Sequence, residues 1–105
     1  MKITLILAAA LAVSLPVHAE GSYEAGKAKS TTCAGCHGPD GNSTVTSFPR
    51  LAGQHRDYLL QALHEYKIGK RTNPIMGAMV QSLSDTDMED LATYFSEQKG
   101  LTQKY

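Results

Sequence analysis

The pattern of apolar and polar positions predicts a helix near the end of the chain. Its apolar positions repeat at i, i+3, i+4 and i+7, and they are Met88, Leu91, Ala92 and Phe95. Ser84 is a favourable N-cap residue, and Asp87 lies three positions later, as in a capping box. Lys99 and Gly100 are typical of a helix end. We therefore expect a final helix with one apolar face, in which Met88 fills the core.

Two more helices and two loops are predicted before it. Residues 23–32 form a first helix, and residues 54–67 form a second helix with apolar side chains at helical spacing. Residues 38–53 are rich in Gly, Pro, Ser and Thr, and residues 69–83 also lack a helical pattern. No run alternates like a strand for long enough to pair, so the predicted fold class is all-α. Residues 101–105 are expected to form a loose tail.

The N-terminal residues have the pattern of an export signal. Lys2 supplies a positive charge, residues 3–15 are apolar apart from two hydroxyl residues, and residues 17–19 form a small-x-small cleavage pattern. The apolar run is too short for a bilayer, which takes roughly 20 residues. We therefore predict a cleaved signal peptide, residues 1–19, and one domain, residues 20–105, with no transmembrane segment. A start retained in a membrane is the alternative.

The composition of the predicted domain indicates that its apolar side chains alone are too few to stabilise a fold. Of its 86 residues, 13 are Leu, Ile, Val or Phe, and nine Lys and Arg face ten Asp and Glu. Chains this poor in large apolar side chains are often disordered, but those carry a high net charge. A near-neutral domain of this size needs a covalent staple or an embedded cofactor. Its charge balance also argues against a nucleic-acid partner.

The candidate chemistry lies in five consecutive residues. Cys33, Cys36 and His37 form the pattern C-x-x-C-H, the attachment signature of c-type haem. On a helix, Cys36 and His37 fall within about 60° and about 40° of Cys33. Two thiols on one face can form thioethers with the two haem vinyl groups, and the imidazole can then reach the iron. In bacteria this attachment takes place outside the cytoplasm, which agrees with the predicted export signal.

Three other interpretations of the cysteine pair fit the chain less well. Zinc would need two more ligands, and His55 and His64 are nine residues apart with no second cysteine pair. A thioredoxin-like dithiol would lie in a βαβ unit, whereas the domain contains two Val and two Ile. A lone disulfide would leave the small core unexplained. Haem attachment is therefore our prediction.

A haem iron held by one histidine has a sixth position to fill. Met76 and Met79 both lie in the segment 73–79, which can fold a methionine over a haem face. Histidine and methionine are a known axial pair, and the methionine raises the reduction potential. Pro74 fixes the chain direction before Met76, and Gly77 leaves room behind it. Met76 is therefore the predicted ligand, with Met79 as the alternative.

The order of these motifs resembles a class I c-type cytochrome, and more closely one half of the periplasmic di-haem cytochromes. The resemblance rests on the haem motif, on FPRLAGQ at 48–54, on the methionine segment and on LSD at 83–85. It implies a small all-helical fold wrapped around one covalent haem. It also implies that His37 is the proximal ligand, that Met76 is the distal ligand, and that the Pro49 carbonyl accepts a hydrogen bond from His37. With one haem motif, no inter-haem electron path is expected.

We therefore expect a periplasmic one-electron carrier and not an enzyme. A six-coordinate iron exchanges electrons without binding substrate, so no catalytic acid, base or nucleophile is predicted. The expected partners are redox proteins. One alternative is the haem subunit of a larger dehydrogenase, such as a flavin-containing sulfide dehydrogenase with a flavoprotein subunit. Another is an enzyme or sensor with an open iron position.

Further polar side chains are weaker candidates, because solvated surface positions explain each of them equally well. Those that could contact the haem propionates are Gln54, Tyr58, Arg71 and Asn73. Those that could form a basic rim for an acidic partner are Lys27, Lys29, Lys67, Lys70 and Arg71.

Overall fold

Five helices, joined by loops, form the part of the chain that this computed structural model describes, residues 2–12 and 21–100. They are α1 (Tyr23–Lys29), α2 (Thr31–His37), α3 (Arg56–Lys67), α4 (Pro74–Met79) and α5 (Asp85–Ser96). Within those ranges no residue lies in a strand, which confirms the predicted all-α class.

The predicted signal peptide is only partly within the described residues. Residues 2–12 are exposed and belong to no helix. In the described ranges, none of the helices has the length and apolar character needed to cross a membrane. The cleavage site predicted after Ala19 and the predicted tail, residues 101–105, lie outside the described residues.

Helices α1 and α5 cross in direct contact at Gly26. This glycine is buried, and its backbone lies against the Asp90 carbonyl and against the Cβ atom of Tyr94. The rings of Tyr23 and Tyr94 also meet across the crossing, with their centroids 5.3 Å apart. The absence of a side chain at Gly26 therefore sets the distance between the first and last helices.

Charged side chains also connect α1 to α5 at this crossing. The Asp90 carboxylate is buried, and it accepts hydrogen bonds from the Ser22 backbone N–H at 2.7 Å and from Lys29 Nζ at 2.6 Å. Lys29 Nζ also lies 2.7 Å from Asp87 Oδ1. Burial opposes ionisation of Asp90, but its hydrogen bonds hold the pKa below the ordinary value. Lys29 therefore joins α1 to α5.

The apolar core lies between α3 and α5. Its buried cluster comprises Leu59, Leu91, Ala92, Tyr94 and Phe95. Met88 is fully buried, as the apolar pattern predicted. The Tyr94 hydroxyl donates a 2.8 Å hydrogen bond to the Pro39 carbonyl, so the core also holds the loop that follows α2. The predicted second helix is confirmed as α3, which begins two residues later than expected.

Three boundaries differ from the sequence-based expectation. The first predicted helix is divided at Ser30, whose hydroxyl donates to the Lys27 carbonyl, so that α2 begins immediately afterwards. The expected loop at 69–83 contains α4, because the Asn73 side chain accepts hydrogen bonds from the first turn of a helix that Pro74 begins. Helix α5 ends at Ser96, before the predicted end at Gly100.

Two side-chain hydrogen bonds hold the chain that follows the early end of α5. The Gln98 side chain folds back and donates to the Tyr94 carbonyl at 3.0 Å. The Asn42 side chain donates to the Lys99 carbonyl at 2.9 Å, so the chain after α5 is held against the loop that follows α2. The predicted capping box at the start of α5 is confirmed, because Ser84 and Asp87 exchange side chain to backbone hydrogen bonds.

Candidate haem site

The two cysteines and the histidine of the C-x-x-C-H motif all lie on α2. Cys33 is half-buried and packs against the core cluster, whereas Cys36 is exposed. Burial raises the pKa of the Cys33 thiol above its ordinary value. Helix α2 thus presents both thiols and the imidazole within about two turns, as the motif requires.

His37 is the last residue of α2, and the loop that follows positions its ring. The imidazole is buried, and its Nδ1 atom lies 2.7 Å from the Pro49 carbonyl oxygen. Since a carbonyl oxygen only accepts, Nδ1–H donates, and in the neutral ring the lone pair is then on Nε2. This is the contact that the resemblance predicted. It leaves Nε2 available to a metal ion.

The loop between α2 and α3 is folded by backbone contacts that bring Pro49 back to His37. Gly38 follows the helix with a φ of 86°, a left-handed conformation that turns the chain away from α2. The Leu51 N–H then donates to the Gly41 carbonyl at 2.8 Å. The peptide that carries the Pro49 carbonyl is therefore held by the fold and not by His37 alone.

Helix α4 carries both candidate methionines. Met76 is partly buried, whereas Met79 is 38 % exposed. The Asn73 side chain accepts a 3.0 Å hydrogen bond from the Met76 N–H, which fixes the first turn. A Cβ atom at Gly77 would meet no atom of a residue beyond its chain neighbours within 4 Å, so the space on that side of α4 is open.

The residues around these groups fit an apolar prosthetic group. Large apolar side chains on the loop after α2, on α3 and on α4 remain roughly half exposed, and they are Val45, Tyr58, Ile75 and Met79. A bound group that covers these side chains removes their apolar surface from water, and this burial stabilises the complex. The donor set also fits haem: α2 carries two thiols that can form thioethers and one imidazole, and α4 carries two methionine thioethers.

Zinc, the alternative to haem, would need further ligands beside the two cysteines, and the described residues provide none. Among residues 2–12 and 21–100, no group of three or more His, Cys, Asp or Glu side chains could hold a metal ion. His64 lies 3.7 Å from Asp85, an exposed contact between α3 and α5. Helix α2 therefore carries the candidate chemistry without help from the other histidines.

The weaker candidates are placed differently from one another. Asn73 caps α4, and the Gln54 side chain accepts from the His55 N–H. Arg71 lies over the rings of Tyr58 and Tyr66. Tyr66 was not among the site residues predicted from the sequence, although Tyr58 and Tyr66 are eight residues apart and so share a helix face.

The structure does not support a continuous basic rim. Lys29 pairs with Asp87 and Asp90. Lys67 Nζ donates to the Leu83 carbonyl, and Arg71 Nε donates to Glu65. Most of the proposed cations therefore serve contacts within the protein.

Comparisons with known proteins identify the family. The family model described as "Cytochrome c" matches residues 23–99. Cytochrome c4 of Pseudomonas aeruginosa is 45 % identical over 98 residues, which cover 93 % of this chain and 49 % of that protein. The crystal structure of reduced recombinant cytochrome c4 from Pseudomonas stutzeri matches with a TM-score of 0.74 at 46 % identity, covering 77 % of this chain and 47 % of the other.

A more distant relative is a subunit of a larger enzyme. The cytochrome subunit of sulfide dehydrogenase from Chlorobaculum tepidum is 37 % identical over 70 residues, which cover 67 % of this chain and 63 % of that protein. The chain spans about half the length of the cytochrome c4 relatives that it matches. The cytochrome c4 relatives are electron-transfer proteins. The chain belongs to this family, with the all-α fold of class I cytochromes c and one covalently bound c-type haem.

Proposed function

We propose that the protein is a periplasmic one-electron carrier whose haem is bound to Cys33 and Cys36, with His37 and Met76 as axial ligands. The observation that carries the proposal is the contact between His37 Nδ1 and the Pro49 carbonyl, on the helix that holds both thiols. When bound, the haem supplies a one-electron couple between ferrous and ferric iron. The protein's part is to hold the iron's ligands and to exclude water.

His37 has the role of proximal ligand in this proposal. Its Nδ1–H donates to Pro49, so the ring orientation and the tautomer are set before any metal binds. Such a hydrogen bond also makes the other ring nitrogen a stronger base and a better ligand. Because His37 is buried, water has little access to the same side of the site.

Met76 has the role of distal ligand, and Met79 is the alternative. The partial burial of Met76 and the hydrogen bond from its N–H to Asn73 favour Met76 as the ligand. Met79 lies three residues later and is more exposed. A thioether ligand at the sixth position closes the iron to small molecules and raises the reduction potential. Both effects suit a carrier better than an open-site enzyme.

Export belongs to the same proposal. The pattern of residues 1–19 is that of a cleaved signal peptide, which leaves residues 20–105 as the haem domain. Attachment of c-type haem outside the cytoplasm requires such a signal. The partners are then other redox proteins of the periplasm, one that reduces the haem and one that oxidises it.

A second candidate is the haem subunit of a flavin-containing dehydrogenase. The similarity to the cytochrome subunit of sulfide dehydrogenase favours it, although that match covers 67 % of this chain and the cytochrome c4 match covers 93 %. The haem chemistry would be the same, with an obligatory protein partner. Purification from the native periplasm distinguishes the two, because a subunit remains in a stoichiometric complex and a free carrier elutes alone.

The proposal is tested on the full chain expressed with haem-maturation factors. We expect a protein heavier than the processed apo-chain by one haem, with both cysteines blocked to thiol reagents. It should follow a reversible one-electron titration, and the ferrous form should not bind carbon monoxide. Extraction of the haem by acid acetone would contradict covalent attachment. Ready binding of carbon monoxide would contradict the carrier function and favour an enzyme or sensor with an open iron position.

A further inference from the structure

Helix α4 is not anchored by burial of its own side chains. It is six residues long, and within the protein none of its residues is buried. Isolated helices shorter than about 12 residues are marginal in water, so a helix of this length depends on contacts with its surroundings. The Asn73 side chain holds its N-terminal end. The position of Met76 therefore depends also on what holds the C-terminal end.

The side chain of Gln81 joins the C-terminal ends of two helices. Its Nε2 atom donates to the Lys67 carbonyl at 3.3 Å and to the Gly77 carbonyl at 3.0 Å. Lys67 is the last residue of α3, and Gly77 lies in the last turn of α4. Carbonyl groups in the last turn of a helix have no partner within that helix. A carboxamide nitrogen carries two hydrogens, so one side chain supplies a donor to both carbonyls.

Neighbouring contacts keep Gln81 in this place. Lys67 Nζ donates to the Leu83 carbonyl, so the end of α3 is also joined to the chain that leads into α5. The Val80 side chain is 1 % exposed, and its backbone N–H donates to the Met76 carbonyl at 3.1 Å. The backbone on both sides of Gln81 is therefore held, and the side chain stays within reach of both carbonyls.

The hydrogen bond to Gly77 acts directly beside the candidate ligand. Gly77 follows Met76 in the chain, so Gln81 fixes the backbone one residue away from the thioether side chain. The space beside Gly77 is open, as described above for a Cβ atom at this position. On that side of α4, hydrogen bonding and not packing therefore restrains the helix.

We propose that Gln81 is a positioning residue that caps α3 and α4 together and so keeps Met76 at the sixth position of the haem iron. This inference rests on the proposed function, in which Met76 is the distal ligand. Without the two hydrogen bonds, α4 separates from α3 more often, and the Met76 sulfur leaves the iron more often. Gln81 thus controls how readily a small molecule reaches the iron, and it acts through the backbone beside Met76.

The experiment measures the rate at which imidazole, at saturating concentration, binds to the ferric haem-loaded protein. Imidazole binds only after Met76 has left the iron, so the rate reports the opening of the site. Gln81→Ala removes both hydrogen bonds, and we expect the rate to rise by about threefold to tenfold, as the loss of a hydrogen bond implies. Gln61→Ala is the matched control, because Gln61 is also exposed but donates to Glu65 within α3. Its rate should equal that of the wild type.

Hydrogen exchange separates positioning from a general loss of stability. The backbone N–H groups of Gly77 and Val80 donate to carbonyls of the same segment, those of Asn73 and Met76. Both amides should exchange faster in Gln81→Ala, whereas the Tm should stay within a few degrees of the wild-type value. A large fall in Tm would indicate a general structural role and would overturn the inference.

Gln81→Glu provides a second variant. It keeps the length of the side chain, but at neutral pH its carboxylate only accepts hydrogen bonds, so it should behave as Gln81→Ala does. If Gln81→Glu instead behaves as the wild type, packing and not hydrogen bonding holds α4, and the inference is wrong. Unchanged imidazole binding in Gln81→Ala would overturn it as well. A wild type that lacks the ferric absorption band of sulfur ligation would instead refute the proposed function.

Discussion

Replacement of Gly26 by alanine tests the role of the α1–α5 crossing. A Cβ atom at this position would overlap the Asp90 carbonyl oxygen. It would also lie 2.7 Å from the Asp90 carbonyl carbon and 2.8 Å from Tyr94 Cβ. Contacts between carbon atoms are optimal at about 3.5–4.0 Å. The two helices must therefore separate by about 1 Å, because the nearest opposing atoms belong to the α5 backbone and cannot rotate away.

The magnitude follows from two opposing effects. Overpacking of a close contact typically costs about 1–3 kcal/mol, and contact with backbone places this site at the upper end. Alanine in a helix interior gains back about 1 kcal/mol relative to glycine. The net loss of unfolding free energy is then about 2 kcal/mol. For a domain of this size it corresponds to a fall in Tm of roughly 10 °C.

The assay is thermal unfolding of the ferric haem-loaded protein, followed by far-ultraviolet circular dichroism. Gly35→Ala is the matched control, since Gly35 lies within α2 and a Cβ atom there meets no protein atom within 4 Å. We expect the control to melt within a few degrees of the wild type. A Gly26→Ala variant that is as stable as Gly35→Ala would refute the argument that this glycine sets the helix crossing.

Two other predictions concern acid stability and the small core. The hydrogen bond from Lys29 first, and that from the Ser84 N–H second, lower the pKa of Asp87 to about 2. A carboxylate with a lowered pKa contributes stability above its unfolded pKa of about 4, and this stability is lost as the pH falls towards 2. Asp87→Asn should therefore flatten the pH dependence of Tm in that range, whereas a slope equal to that of the wild type would contradict the assignment. The Cys33→Ala, Cys36→Ala double variant, purified without haem, should be largely unfolded by circular dichroism, because so few large apolar side chains are available to bury. A cooperative melt of a helical apo-protein would show that the core is sufficient without haem.

The local signals in the sequence predicted the structure well where neighbouring residues alone determine it. The Ser84 and Asp87 capping box is such a case, because both partners lie within one turn. The apolar spacing that buries Met88 is another. Helix α4 carries a visible signal in Asn73 and Pro74, but its six residues are too few to show a helical period. Short helices are therefore recognised by their caps and not by their pattern.

The remaining features depend on partners that are distant in sequence. Lys29 looks like an outward-facing residue of α1, yet it bonds to Asp90, 61 residues away. Nothing in the neighbouring sequence requires glycine at Gly26. The requirement arises only because α5 crosses α1 at this residue. Arg71 meets Tyr58 and Tyr66 because the loop before α4 folds back along α3. No periodicity along the chain encodes such contacts.

The most direct test of the central claim compares Met76→Ala with Met79→Ala in the haem-loaded protein. The measurement is the ferric absorption band that accompanies sulfur ligation, together with carbon monoxide binding by the ferrous form. Met76→Ala should lose the band, bind carbon monoxide and show a lower reduction potential. Met79→Ala should keep the band and lose only packing. The reverse result would place the distal ligand at Met79, and a wild type without the band would contradict the account of a closed, methionine-ligated electron carrier.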